Sequence, residues 1–137
     1  MNKRAEDLNL NDTTFSNPHG LQNAMNTSSP KDILTLSMHA SKNQYFRKIM
    51  NTDTVRYYYL EENKEIPLFA SHEDIISKYS KPQRRRWWNT NNLLNKGWEG
   101  IKTGQTAAAG SCLSSLKKGI YIVVLNCKDN EARFTET

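Results

Sequence analysis

Residues 100–125, GIKTGQTAAAGSCLSSLKKGIYIVVL, predict three strands in succession. The first covers residues 100–106 and the second covers residues 108–116, and Lys117-Lys118-Gly119 forms a turn before a third strand over residues 120–125. The third run is continuously apolar, which is typical of a strand covered on both faces. Short turns join antiparallel neighbours, so the stretch predicts an antiparallel meander.

Helices are predicted ahead of that meander. Ser29 has the properties of an N-cap, Pro30 those of a first helical residue, and Asp32 places negative charge near the positive end of the helix dipole. The apolar stripe predicted behind this start, at helical spacing, is Ile33, Leu36 and Ala40.

Two shorter helices are predicted over residues 1–8 and 43–50, and a polar loop rich in Asn, Thr and Ser over residues 9–27. Helices first and a meander last predict an α/β fold of the α+β type, within one partial domain over residues 1–137.

The middle of the chain is less regular. Residues 55–60 are rich in aromatic and β-branched types and predict a strand. Residues 61–81 are charged and irregular, with one weak helix around residues 73–79, and residues 61–86 are interpreted as an insertion within the domain. A further strand, or the end of one, is predicted within residues 87–94.

The net charge of +5 has part of its excess in Arg84-Arg85-Arg86, directly before Trp87 and Trp88. Basic residues interleaved with aromatics along one face would favour nucleic-acid binding. A solvated loop entering a strand is the alternative that we favour, because no known binding motif surrounds the run. We therefore expect no nucleic-acid partner.

Metal binding and membrane insertion are not indicated. The spacing of Cys112 and Cys127 fits neither a disulfide framework nor a zinc site, and His19, His39 and His72 are scattered. No stretch is apolar for long enough to span a bilayer, and the first residues lack the apolar core of a signal peptide. We expect no metal, no cofactor and no membrane segment in this chain.

Lys102-Thr103-Gly104 is the triplet that carries chemistry. On an edge strand that lines a cleft, an ammonium and a hydroxyl supply a charge-assisted and a neutral hydrogen bond to a substrate carboxylate. The glycine removes a side chain, so that a substrate backbone can approach the strand. The triplet is the third element of the serine acyl-enzyme pattern of penicillin-binding proteins and class A β-lactamases.

The flanking sequence extends this motif in both directions. Asn89-Thr90-Asn91 and Leu93-Leu94 precede it, Ala109-Gly110-Ser111 follows it, and Asn17-Pro18-His19-Gly20 lies far upstream. In this order and spacing they resemble the D-alanyl-D-alanine carboxypeptidase family of low-molecular-mass penicillin-binding proteins. The resemblance runs nearly end to end and is weakest across residues 61–86. It implies a partial penicillin-binding-protein/β-lactamase-like domain.

The resemblance further implies a serine peptidase that removes the terminal D-alanine from peptidoglycan stem peptides through an acyl-enzyme, without a cofactor. Lys102, Thr103 and Gly104 would bind the substrate, Arg133 would be a second carboxylate anchor, and residues 17–20 would shape the loop behind the site. The implied partners are D-Ala-D-Ala peptides and, for the complete enzyme, β-lactams. The implied location is extracytoplasmic or secreted.

The nucleophile of that family is a Ser followed one helical turn later by a Lys, and a Ser-x-Asn lies on a second loop. Matches occur at Ser28-x-x-Lys31, Ser41-x-Asn43, Ser114-x-x-Lys117 and Ser115-x-x-Lys118. Matches of this kind are expected by chance in so Ser- and Asn-rich a chain. We expect no catalytic residue here, because the resemblance places both motifs upstream of Met1.

Two alternatives to a carboxypeptidase domain remain at this point. The chain could be a non-catalytic remnant that binds peptide or wall fragments through the Lys102 strand. It could also be a basic interaction module that uses residues 84–88.

Overall fold

The computed structural model describes residues 1–59, residue 73 and residues 83–137. They form two compact units, one of Met1–Asn51 with Thr90–Thr137 and one of Thr52–Asn89. The first unit contains the predicted helices and meander, and the second contains a β-hairpin. No helix in these described ranges is long and apolar enough to cross a bilayer.

The first unit begins with three helices, α1 (Asn2–Asp7), α2 (Pro30–Ala40) and α3 (Gln44–Met50). The predicted start of α2 is confirmed, since the Ser29 side chain accepts a hydrogen bond from the Asp32 amide. The Asn43 side chain caps α3 by accepting from the amides of Tyr45 and Phe46.

The predicted meander is confirmed. Strands β3 (Glu99–Thr106), β4 (Gly110–Lys117) and β5 (Ile120–Cys127) form one antiparallel sheet in the order β3-β4-β5. Covering of β5 on both faces is not observed, because Ile120 is exposed and the next five residues are half-buried. A short helix, α4 (Ala132–Thr135), follows the sheet and was not predicted.

The helix α2 packs on β4 and β5 through a polar contact as well as an apolar one. The fully buried residues of α2 are Asp32 and Ser37, whereas the predicted stripe of Ile33, Leu36 and Ala40 is only half-buried. The hydroxyls of Ser37 and Ser114 lie 2.8 Å apart in the core. This pairing satisfies two polar groups that would be costly to bury alone.

The Asp32 carboxylate ties the upstream loop to α2. Its Oδ2 atom accepts hydrogen bonds of 2.8 Å from the Asp12 amide and from the Thr13 hydroxyl. Thr14 and Thr27 then close the loop by pairing as an isolated antiparallel bridge. The predicted loop is therefore ordered by side-chain and backbone hydrogen bonds.

The second unit corrects the interpretation of the arginine run. Strand β1 (Thr54–Tyr59) pairs antiparallel with β2 (Gln83–Trp88), so that residues 84–86 lie inside a strand and the loop interpretation is wrong. The strand expected within residues 87–94 ends at Trp88. Most of residues 61–86, including most of the weak helix, lies outside the described residues, and the insertion stays a prediction.

A side-chain pair between α3 and β3 predicts a pH dependence of stability. The Arg47 Nη2 atom lies 2.5 Å from Glu99 Oε2, and Asn51 donates to the same oxygen. The hydrogen bond from Arg47, aided by that of Asn51, holds the pKa of Glu99 below its ordinary value of 4.5. A carboxyl group whose pKa is lowered by folding stabilises the folded protein above pH 4.5. This contribution is lost as the pH falls through the pKa that Glu99 has in the folded protein.

Urea unfolding of the parent and of a Glu99→Gln variant checks this dependence. We expect the parent to be the more stable protein at pH 7, by a small margin because the pair is partly exposed. The margin should vanish as the pH is lowered toward 3. A margin that grows on acidification would contradict the assignment.

Candidate functional site

The triplet Lys102-Thr103-Gly104 lies on β3, which is one of the two edge strands of the meander in the described part of the chain. Its inner neighbour is β4, with Thr103 opposite Leu113 and Gly104 opposite Cys112. A Cβ atom built on Gly104 would meet no atom within 4 Å. The strand therefore leaves open space at Gly104, as expected of a surface that a substrate backbone approaches.

Lys102 and Thr103 differ sharply in exposure, as neighbouring positions on a strand commonly do. Lys102 is exposed, and its ammonium donates to the backbone carbonyl of Thr103. Thr103 is only 7% exposed, and its hydroxyl lies 2.5 Å from that of Thr90. A hydroxyl can accept and donate at once, so this contact leaves Thr103 able to make further hydrogen bonds, and it can donate one if Thr90 is the donor here.

The segment that holds Thr103 also braces the sheet. Asn91 is buried, and its amide donates to the Ser115 hydroxyl on β4, which donates in turn to the carbonyl of Glu99 on β3. In the sequence, residues 89–94 carry part of the family resemblance and lie within a predicted strand or strand end, neither of which predicts this contact with the sheet. The structure assigns Thr90 and Asn91 the role of fixing β3 from the side.

Gly100 sets the position of the start of β3. A Cβ atom there would lie 2.6 Å from the backbone oxygen of Met50, and the Gly100 amide donates to Asn51 Oδ1 at the end of α3. A register shift follows between Gly100 and Lys102. The strand can reach α3 this closely only because residue 100 has no side chain.

Arg133 is placed beside Gly104, but it is buried. Only 6% of it is exposed, and its Nη1 atom donates to the carbonyls of Gly104 and Cys112. Its Nε atom is buried and has no hydrogen-bond partner in the described part of the chain. The structure thus brings Arg133 to the same strand as Lys102 and uses part of its guanidinium to bind the backbone there.

The loop over residues 17–20 is a turn held by its own side chains. Asn17 accepts from the Gly20 amide and donates to the Leu21 carbonyl, while His19 Nδ1 accepts from the Leu21 amide. Gly20 has φ +74°, which favours glycine. The loop forms one side of a cavity of about 600 Å³ that also touches Ala108, Ala109, Cys112 and Leu125.

The four serine matches are all engaged in the structure. Ser28 precedes α2 and its hydroxyl contacts that of Thr13, and the Ser41 hydroxyl donates to the Ser37 carbonyl. Ser114 pairs with Ser37, and Ser115 pairs with Asn91. None of these hydroxyls is bonded to a lysine amine among the described residues.

The other candidate groups show no site. In the described ranges, no group of three or more His, Cys, Asp or Glu side chains could hold a metal ion. Cys112 and Cys127 are free thiols on neighbouring strands. Burial is the main cause that raises the pKa of Cys127, so this thiol is not activated as a nucleophile.

In a comparison with protein families, residues 1–128 match the model described as D-alanyl-D-alanine carboxypeptidase. The chain is 32% identical over 124 residues to D-alanyl-D-alanine carboxypeptidase DacF of Bacillus subtilis, covering 87% of this chain and 26% of that protein. It is 31% identical over 142 residues to DacC of Escherichia coli, covering 100% of this chain and 30% of that protein.

Solved structures agree with these sequence matches. The DD-transpeptidase of Streptomyces K15 superposes with a TM-score of 0.77 and 27% identity, covering 98% of this chain and 48% of that chain. Penicillin-binding protein D2 of Listeria monocytogenes, in a cefotaxime-bound form, gives a TM-score of 0.70 and 25% identity, covering 99% and 49%. This chain thus spans from about a quarter to about half of the proteins it matches. The predicted partial fold, helices and then antiparallel strands, is confirmed.

Proposed function

The chain belongs to the D-alanyl-D-alanine carboxypeptidase family, and from that premise we propose that it provides the wall of a serine peptidase site that binds the substrate carboxylate. The reaction proposed for the complete site is removal of the terminal D-alanine of peptidoglycan stem peptides through an acyl-enzyme. The same site would accept β-lactams, and it needs no metal or cofactor.

The observation that carries the proposal is the open edge of β3. Lys102 is exposed on this strand, and Gly104, two residues further, has free space where a side chain would be. An extended peptide can pair its backbone with such an edge while its terminal carboxylate meets the ammonium. The Thr103 hydroxyl, held by Thr90, is available for a second, neutral hydrogen bond.

Arg133 is proposed as the second cation of this wall. Its Nη1 atom is engaged by the Gly104 and Cys112 carbonyls and its Nε atom is buried, so a carboxylate would bind through Nη2. The guanidinium would then have two roles, since it also holds β3 to β4 at Gly104. The positive charge beside the strand adds to that of Lys102.

The nucleophile is proposed to lie outside this chain. Three of the four serine matches have hydroxyls in helix, sheet or core contacts, and the fourth, Ser28, precedes the N-cap of α2. A Ser and a Lys one turn apart on a helix are needed for the amine to accept the hydroxyl proton. Ser28 and Lys31 do not meet that condition, because Ser28 is not helical.

Binding of a tripeptide that ends in D-Ala-D-Ala tests the proposal by titration calorimetry. We expect Lys102→Ala to raise the Kd by about tenfold or more, because a charge-assisted hydrogen bond is lost. Lys42→Ala, which removes an exposed lysine after α2, should change the Kd less than twofold. A peptide with an amidated C-terminus should bind the parent and Lys102→Ala equally weakly.

The same proteins give a second readout with a fluorescent penicillin. We expect no covalent label on the chain, because the proposed nucleophile is absent. A label on Ser28, Ser41, Ser114 or Ser115 would contradict this, and equal peptide binding by Lys102→Ala and the parent would remove the role of the β3 edge. Equal peptide binding by the two proteins would also exclude a non-catalytic remnant that binds peptides through Lys102.

A further inference from the structure

The β1–β2 hairpin places two arginines directly opposite each other. In its register Arg56 pairs with Arg86, and Thr54 pairs with Trp88. Directly opposite residues in an antiparallel pair share a face, and alternation along each strand puts all four on the same one. Arg56, Arg86 and Trp88 on this side are called the cationic face.

The arrangement is unfavourable without a ligand. Like charges opposite each other on a sheet, with Cβ atoms about 5 Å apart, repel and destabilise the pair. Both arginines are exposed, and no carboxylate in the described residues forms an ion pair with either. The Arg86 guanidinium instead lies over the Trp88 ring, with Cζ 5.3 Å from the centroid.

These features fit an oxyanion attached to a ring. Guanidinium forks bind carboxylates in pairs of parallel hydrogen bonds, and two opposed forks can hold one anion between them. Trp88 is 65% exposed and offers a flat apolar surface on which the C–H face of a sugar ring can pack. An anion here would also relieve the repulsion between the two arginines.

We propose that the cationic face binds a carboxylate-bearing stretch of the wall polymer, other than the peptide end bound by Lys102, with a neighbouring sugar ring on Trp88. This choice of polymer rests on the proposed function. A bilayer surface fits less well, because Trp87 and Trp88 are both about two-thirds exposed yet lie on opposite faces of the hairpin. Single-stranded nucleic acid usually needs several aromatic side chains along a basic groove, whereas the described side chains of this face include one aromatic ring, that of Trp88.

The test is co-sedimentation of the whole chain with purified peptidoglycan freed of phosphate polymers. Arg56→Glu puts a carboxylate opposite Arg86, which should stabilise the hairpin while it blocks the anion site. We expect bound protein to fall about tenfold with no loss in the urea midpoint. Lys42→Glu, which makes the same charge change in the other unit, should lower binding less than twofold.

Three results would overturn the proposal. Arg56→Glu could bind the peptidoglycan as well as the parent does, or Lys42→Glu could weaken binding equally, which would assign binding to net charge. In the third result, the parent would bind single-stranded DNA or anionic phospholipid vesicles through Arg56 and would not bind peptidoglycan.

Titration with the D-Ala-D-Ala tripeptide separates this proposal from the proposed function. Tripeptide binding that is unchanged by Arg56→Glu, together with lost sedimentation, supports both. The parent could instead sediment with peptidoglycan in a way that depends on Arg56, yet fail to bind the tripeptide. That result supports the cationic face and counts against the Lys102 site.

Discussion

A Gly100→Ala variant is expected to lose about 3 kcal/mol of unfolding free energy, as added atoms in a closely packed site commonly cost this much. The new methyl group would lie 2.6 Å from the backbone oxygen of Met50 and 3.2 Å from a methyl carbon of Leu94. Leu94 can turn away, but a backbone oxygen moves only with its helix. The start of β3 must therefore shift, and urea unfolding at neutral pH measures the cost.

Gly104→Ala is the matched control, because it makes the same change on the same strand where no atom lies within 4 Å. We expect its unfolding free energy to stay within about 0.5 kcal/mol of the parent. Under the proposed function it should still weaken binding of the D-Ala-D-Ala tripeptide, since the methyl group occupies the space of the substrate backbone. Equal stabilities of the two variants would contradict the close approach at Gly100.

A Leu113→Ala variant is expected to cost about 3 kcal/mol, within the usual range for truncating a buried leucine. Leu113 is 2% exposed on the central strand β4, opposite Thr103 on one side and Val124 on the other. Truncation of the side chain leaves a cavity at β4, next to the buried Thr103 on the neighbouring strand. Urea unfolding of the variant against the parent measures the loss.

Ile120→Ala is the comparison for that variant, since Ile120 lies on the same sheet but is 65% exposed. We expect a cost below about 1 kcal/mol, because little buried surface is lost. If the two variants were equally destabilised, the core could not be centred on β4 as described.

Local chemistry explains why the helices and the meander could be predicted. Ser29 before Pro30 is a local signal for the start of a helix, and the Lys117-Lys118-Gly119 turn joins two predicted strands that pair as neighbours. The predicted bounds of these elements agree with the structure to within a residue or two. Such signals act over short stretches of sequence and depend little on distant residues.

The core and the arginine run could not be predicted in this way. Ser37 and Ser114 have the composition of surface residues, and only the packing of α2 on the sheet pairs and buries them. The arginine run has no apolar alternation, and its strand depends on partners about thirty residues away in β1. The β-propensity of single residues contains no information about such distant strand pairing.

The site was predicted in part. The triplet on β3 was located correctly, as a motif on a strand edge. The bond from Thr90 to Thr103 and the burial of Arg133 depend on how separate segments meet, so residue types alone did not reveal them. Whether Lys102, Thr103, Gly104 and Arg133 bind substrate stays a prediction.

The outer edge of β3 has a consequence for the behaviour of the protein in solution. Backbone groups that are left open for a peptide are equally open to the same strand of a second molecule, which is how sheets join edge to edge and aggregate. Lys102 counters this, because two copies aligned at this edge would bring like charges together. The ammonium would thus oppose self-association at this edge, whereas a proline in the strand would also remove a backbone donor that the proposed peptide could use.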